Sequence, residues 1–254
     1  MKIYMISLKR DIERREQMQK KFPRYYPKFH IIDAVDAREE SSAKFIQKYD
    51  KPCPNDKRRP LTKGEKCCAI SHLLALEDFL QSGDERCIIV EDDIIGHDND
   101  FDKSIQMTGN LNVNGLFIFG GQQGLKNSKY LVARKNIKGF WIVPKISITF
   151  ITRACCYSFD RETAQIIYRA QINCLTRSDN WQKYKGKFKF YFSDILAHPD
   201  DLTKSNLETE RSTRGIIFEI LADGLKNLMQ RNFKKIIIFS LVSFKLFKKI
   251  NKST

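Results

Sequence analysis

Three consecutive carboxylates, Glu91-Asp92-Asp93, follow the short apolar strand-like run Arg86-Cys-Ile-Ile-Val90. Like charges repel, so a triplet beside a buried strand is easiest to explain if a cation neutralises it. In an extended chain residues i and i+2 share a face, which points Glu91 and Asp93 together and Asp92 the other way. Two hard oxygen donors on one face suit Mg2+ or Mn2+ better than a soft metal. A cation held there can act as a Lewis acid on a phosphoryl leaving group. An acidic surface turn after a buried strand has the same sequence, and the triplet alone does not separate the two.

Other residue types with chemical capacity stand nearby. Arg14 and Arg15 can grip a diphosphate, because a guanidinium pairs bidentately with phosphate oxygens; they equally fit a solvated helix face beside Glu13 and Glu16. Lys63 and Lys66 carry the same two readings. Gly120-Gly121-Gln122-Gln123 lets backbone approach a ligand closely, with amides for sugar hydroxyls, or forms an ordinary loop. His72 sits among apolar helical neighbours, as a packing residue or a ligand.

These residues need elements to hold them. Lys2–Leu8 reads as a buried strand, Ile12–Lys21 as a helix capped by Asp11, and Phe29–Val35 as a second strand. That spacing predicts a βαβ unit and a parallel sheet. Thr62 with Glu65 three residues later is a capping-box pattern, opening a helix that stops near Ser82-Gly83. Strands are expected at Leu116–Phe119 and Arg153–Phe159, strand pairing between Trp141 and Thr152, and a helix over Arg161–Ala170. Open α/β sheets bind ligands at the carboxyl ends of their strands, where the acidic triplet falls.

The chain of 254 residues is 42% apolar, enough for one substantial core, and carries a net charge of +15. Such a charge favours a polyanionic partner: nucleic acid, anionic lipid or a phosphorylated substrate. Seven cysteines, an odd number without a C-x-x-C pair, are expected to be reduced packing residues, which implies a reducing cytoplasm. The first residues read as a strand and not as a signal peptide. The apolar run Ile236–Phe244 is shorter than the roughly 20 residues that span a bilayer. After Asp223 there are eight basic residues and no acidic one. The organisation expected is a catalytic domain over 1–210 and a basic helical extension over 211–254. Basic clusters around an apolar middle suit either an interfacial helix on anionic lipid or a helix docked on the catalytic domain.

Four stretches in order carry a resemblance. Ile6-Ser-Leu-Lys-Arg-Asp-Ile-Glu-Arg-Arg15, Phe29-His-Ile-Ile-Asp-Ala-Val-Asp36, Leu61-Thr-Lys-Gly-Glu-Lys-Cys-Cys-Ala-Ile-Ser-His72 and Val90-Glu-Asp-Asp-Ile94 are similar to the motifs of glycosyltransferase family 25 proteins that build lipooligosaccharide. Ser7 replaces an asparagine common in the first motif, and Cys67 stands where glycine or alanine is usual. The resemblance covers residues 1 to about 210 and is looser beyond about 100. It implies a GT-A-like, Rossmann-type nucleotide-sugar-binding sheet with helices on both faces, a UDP-sugar donor (commonly UDP-galactose) and inversion at the anomeric carbon. UDP-glucose or a UDP-N-acetylhexosamine is the alternative donor. It further implies Mn2+ or Mg2+ on Glu91, Asp93 and a late histidine, His198. Ser7, Arg14, Arg15, Asp36, Lys66, Asp92, Gly121 and Gln122 are the expected donor contacts. Inversion needs a base, expected at Asp179 with Asp194 as the fallback, and Trp181 would lie under a sugar ring. The acceptor would be a lipid-linked oligosaccharide at the inner face of the bacterial inner membrane, reached through the C-terminal tail. A non-catalytic nucleic-acid-binding protein also explains the charge, but no reading motif accompanies it and the carboxylates would repel phosphate.

Overall fold

The computed structural model of the chain describes residues 1–51, 53, 60–109, 113–125, 127–133, 136–137, 139–199, 232–239, 242 and 248–249. The 210/211 boundary lies outside them.

In chain order the elements are β1 (Lys2–Ser7), α1 (Ile12–Lys21), β2 (Phe29–Asp33), α2 (Ser42–Tyr49), α3 (Lys63–Gln81), β3 (Arg86–Glu91), α4 (Asp98–Gly109), β4 (Leu116–Gly120), β5 (Val132–Ala133), β6 (Asn136–Ile137), β7 (Phe140–Val143), β8 (Cys156–Asp160), α5 (Arg161–Asn173), β9 (Phe190–Leu196) and β10 (Lys248–Lys249). Eight strands form one sheet in the order β2-β1-β3-β8-β4-β9-β7-β6. The βαβ expectation holds at one side, where β1 runs parallel to β2 and β3. Beyond it the sheet is mixed: β8 runs antiparallel between β3 and β4, β4 and β9 are parallel, and β7 is antiparallel to β9. An apolar strand has the same composition in either direction, so the sequence carried no sign of this reversal.

Helices cover both faces. Along β1, Tyr4 and Ile6 face Leu76 and Phe79 of α3 and Ile167 of α5. Ile3 and Met5 face the other way, toward Met18 of α1 and Phe101 of α4. Alternation of side chains along each strand, with apolar residues at every position, therefore feeds two cores at once. The capping box forms: Thr62 Oγ1 accepts from the Glu65 amide at 3.2 Å, and Glu65 Oε2 accepts from the Thr62 amide at 3.1 Å. Asp11 occupies the start of α1 but its side chain makes no capping hydrogen bond; it faces Arg10 Nε at 3.5 Å.

Two of the cysteines correct the expectation. Cys53 and Cys174 are joined in a disulfide, linking the segment before α3 to the end of α5; the other five are free. The inference from reduced cysteines to a reducing compartment therefore loses its premise.

In the tail, residues 232–239 are helical. Ile238, 2% exposed, joins the same core cluster as the α3-facing side of the sheet, and the helix touches Tyr130 and Thr149 through Lys235 and Lys234. β10 pairs antiparallel with β5. Among the described residues no helix is long and apolar enough to cross a membrane.

Candidate active site

The parallel strands β1, β2 and β3 end at one edge of the sheet, and so do β4 and β9. β8 enters the sheet at that same edge because it runs the other way. The loops there enclose a cleft of about 500 Å3. Its walls include Ser7 at the end of β1, Asp36 after β2, the start of α3 as far as His72, Glu91 at the end of β3 with Asp92 and Asp93 after it, Arg153 before β8, Asp179 and His198.

β3 ends at Glu91, and Asp92 and Asp93 lie in the turn that follows, so it is the turn and not strand alternation that brings Asp93 back beside Glu91. Glu91, Asp93 and His198 bring one ligating atom each within 4.8 Å of one another. His198 arrives through a long-range bridge: Ile95 and Ala197 exchange backbone hydrogen bonds at 2.9 Å, which sets the following residue beside Asp93. Its Nδ1 lies 2.8 Å from the Pro199 carbonyl, which can only accept, so Nδ1 carries a proton there. In the neutral ring Nε2 then offers its lone pair, 3.6 Å from Asp93 Oδ2. Asp93 Oδ1 is buried and has no hydrogen-bond partner among the described residues. Burial, then the charge of Glu91, pushes the Asp93 carboxyl up to about 6. An orphaned carboxylate oxygen, a second carboxylate and an oriented imidazole fit a divalent cation.

Asp92 turns away and is 6% exposed. Arg14 donates to its Oδ1 at 2.9 Å and to Asp93 Oδ2 at 3.3 Å. Burial raises the Asp92 pKa, with Ser7 and Arg14 opposing. Glu91 is braced from behind. His72 Nε2 lies 3.1 Å from Glu91 Oε1 and its Nδ1 2.7 Å from the Tyr157 hydroxyl. Burial opposes the Glu91 charge, but the bond and charge of His72 with the charges of His198 and Arg14 together outweigh it and hold that pKa below the ordinary value. Burial likewise opposes a charged His72, yet Tyr157, Cys68 and Glu91 hold its pKa well above the imidazole value. His72 is thus a buried residue whose two ring nitrogens are engaged by Tyr157 and Glu91.

Also lining the cleft, Asp179 Oδ2 accepts from the Arg153 amide at 3.3 Å. Its Oδ1 is buried without a hydrogen-bond partner, 3.4 Å from Arg177 Nε. The short helix that follows, Trp181–Tyr184, starts after Asn180 and takes no side-chain cap, so Asp179 is not engaged as an N-cap. Arg153 has φ of +63°, in the left-handed region that non-glycine residues avoid. Its Nη1 donates to the carbonyls of Gly121 and Gln123, which fixes that backbone.

Several expected contacts point elsewhere. Lys66 Nζ pairs with Asp50 at 2.6 Å, outside the cleft. Arg15 bridges Ser7 and Asp33, at 3.0 and 2.9 Å, and braces β1 against β2 without lining the cleft. The Gln122 amide is fully buried: Nε2 donates to the Thr152 carbonyl and Oε1 accepts from the Thr152 amide at 3.0 Å. Gly121 has φ of +72° and packs against Cys155 Sγ too closely for a side chain; neither residue lines the cleft. Asp194 is exposed, accepts from Gln123 Nε2 and stands outside the cleft. Trp181 is 2% exposed and donates to the Arg153 carbonyl, so it supports the wall and offers no face to a sugar.

Asp36 does line the cleft, where it accepts from Arg10 Nη1 at 2.5 Å and the Arg38 amide at 2.9 Å. Arg10, Arg38, Arg153 and Arg177 are cleft residues that the sequence reading missed. Arg10 stands inside the first motif and could have been found there; the other three carry no local signal.

A sequence profile described as Glycosyltransferase family 25 (LPS biosynthesis protein) matches residues 1–180. A lipooligosaccharide biosynthesis protein of Haemophilus influenzae, lic2B, is 32% identical over 96 residues, 38% of this chain and 35% of that protein. Procollagen galactosyltransferase 2 of Homo sapiens is 28% identical over 99 residues, 36% of this chain and 15% of that protein. The chain therefore spans about a third of one relative and far less of the other. Among solved structures, the galactosyltransferase LgtC bound to donor and acceptor sugar analogues superposes with a TM-score of 0.37 at 10% identity, over 76% of this chain and 73% of that one. At such a score the architecture stands on the strand order alone.

Proposed function

This chain belongs to glycosyltransferase family 25, and from that premise we propose that it transfers a hexose from a UDP-sugar to an oligosaccharide acceptor with inversion. The observation that carries this reading is that two features share one cleft. Glu91, Asp93 and His198 are gathered within 4.8 Å of one another, and Asp179 lines the same cleft. Galactose is the proposed sugar, in line with the procollagen galactosyltransferase relative. A lipooligosaccharide or lipopolysaccharide core is the proposed acceptor, in line with lic2B.

Glu91, Asp93 and His198 would hold the cation, and the imidazole favours Mn2+ over Mg2+. A bound cation neutralises the charge that builds on the diphosphate as it leaves. Arg14 balances Asp92 and Asp93, which leaves Asp92 buried and fixed beside the donor. Asp36, at the β2 side, is placed to accept from a ribose hydroxyl. Asp179 takes the proton of the acceptor hydroxyl as that oxygen attacks the anomeric carbon. The carbon–oxygen bond to UDP breaks, and UDP leaves with the electron pair from the opposite face. The acidic centre of the cleft opposes the nucleic-acid reading, because a phosphate backbone would meet three carboxylates.

The test incubates the full chain with UDP-galactose, UDP-glucose and UDP-N-acetylhexosamines, with Mn2+ or with EDTA, and follows UDP release with and without a lipooligosaccharide acceptor. Release from UDP-galactose that needs Mn2+ and rises with acceptor is expected. No release from any UDP-sugar would reject the reading, and release unaffected by EDTA would reject its metal part.

A further inference from the structure

We propose that the tail helix is a preformed attachment face for an anionic lipid surface, set beside the wall of the cleft where the acceptor must enter. Within residues 232–239, Phe233 is 63%, Ile236 63% and Phe239 74% exposed. At about 100° per residue they share roughly a third of the helix circumference. The opposite side is docked. Ile238 is 2% exposed in the core, Lys234 Nζ lies 3.3 Å from Thr149 Oγ1, and Lys235 Nζ stands 5.2 Å from the centre of the Tyr130 ring. The helix therefore does not expose these apolar residues for want of a docked face; it has one and turns them outward. Three large apolar side chains on one short exposed face are a recognised mark of an interaction surface.

Charge selects the occupant. From residue 224 to the end the chain has eight basic residues and no acidic one. Two of them, Lys234 and Lys235, lie on the docked side of the helix, and the other six flank residues 232–239 in sequence. An exposed apolar face flanked by basic residues suits the headgroup layer of an anionic membrane. A second copy of this chain, itself at +15, is the less favourable partner. Position adds a reason. Thr149, which holds Lys234, also donates to Gln182 at 2.7 Å. It is three residues, at most about 10 Å of chain, from Thr152 in the cleft wall that carries Asp179. A lipid-linked acceptor would thus approach the proposed base from the attached side. That last step rests on the transferase reading, whereas lipid binding does not.

The experiment sediments the full chain with vesicles of phosphatidylcholine containing phosphatidylglycerol, and with phosphatidylcholine alone, at low and high salt. Binding to the anionic vesicles, weakened by salt, is expected. The triple variant Phe233→Ser, Ile236→Ser, Phe239→Ser should lower the partition coefficient at least about tenfold, with its thermal midpoint and its UDP-sugar hydrolysis unchanged. If the triple variant unfolds early, Phe239→Ser alone carries the test. Ile238→Ser should instead lower the midpoint, because Ile238 is in the core. A full chain that stays in the supernatant overturns the proposal, and so does equal sedimentation of a folded variant. A dimer in light scattering that the triple variant dissociates, without vesicle binding, would give the face to a second copy and also overturn it. Vesicle binding measured without donor fails or succeeds independently of transfer, so the two readings are separable.

Discussion

Asp93→Asn should make the metal-free protein more stable while it disables the enzyme. The substitution keeps shape and removes one charge. In the metal-free fold, burial and Glu91 raise the Asp93 pKa from 3.8 to about 6. The shift is about two units, and each unit is worth about 1.4 kcal/mol, so ionised Asp93 costs the fold on the order of 3 kcal/mol. The side chain is 23% exposed, so solvent screening trims this figure without cancelling it. The sign follows from linkage. A carboxyl whose folded pKa lies above its unfolded value costs nothing below pH 4; the cost grows between pH 4 and 6 and is complete above that. In EDTA at pH 8 the Asn variant should therefore melt several degrees higher than the parent, at about 2–4 °C per kcal/mol for a chain of this size. Near pH 4 the two should melt together. With Mn2+ the order should reverse, because the parent gains binding energy that the variant lacks. Turnover of the variant should fall at least about 100-fold, the scale of losing one strong electrostatic stabiliser. Melting curves with EDTA and with Mn2+, at both pH values, decide the matter. An Asn variant that melts below its parent in EDTA at pH 8, or one with full activity in EDTA, would refute the reasoning.

Asp179→Asn should lower transfer about 100-fold or more while UDP binding, read by calorimetry, stays near that of the parent, since the base acts on the acceptor; transfer at the parent rate would remove Asp179 from the mechanism. Gln122→Ala should lower stability by about 1–3 kcal/mol, because the Thr152 amide and carbonyl lose their buried partner; an unchanged melt with a weaker donor affinity would restore Gln122 as a donor contact. Thiol titration of the unfolded, unreduced chain should find five thiols, and Cys53→Ser should cost about 2–4 kcal/mol only under non-reducing conditions; seven thiols would show that Cys53 and Cys174 are not paired.

Much of this protein was written locally. β1, α1, β2 and α3 have their own periodicity and caps, and Thr62 with Glu65 marks the start of α3 to the residue because a capping box is closed within four positions. The grouping of Glu91 with Asp93 was expected from strand alternation, but β3 stops at Glu91 and the turn over Asp92 and Asp93 produces it instead. The motifs that carry the family resemblance lie inside the first hundred residues, each contiguous in sequence, and the family profile matches residues 1–180.

What only the tertiary structure decided concerns direction and partnership. The reversal of β8 places Arg153 at the cleft, and the bridge between Ile95 and Ala197 places His198 on Asp93; both join positions about a hundred residues apart or depend on strand polarity. Lys66, Arg15 and Gln122 are polar residues in or beside motifs, yet each is spent on a partner that no local pattern names: Asp50, Asp33 and Thr152. The same holds for Cys53 and Cys174, and for Trp181, whose ring fills the wall behind Arg153. A sequence shows which side chains can bond. Which of them are left facing a ligand is settled by the long-range contacts that claim the others first.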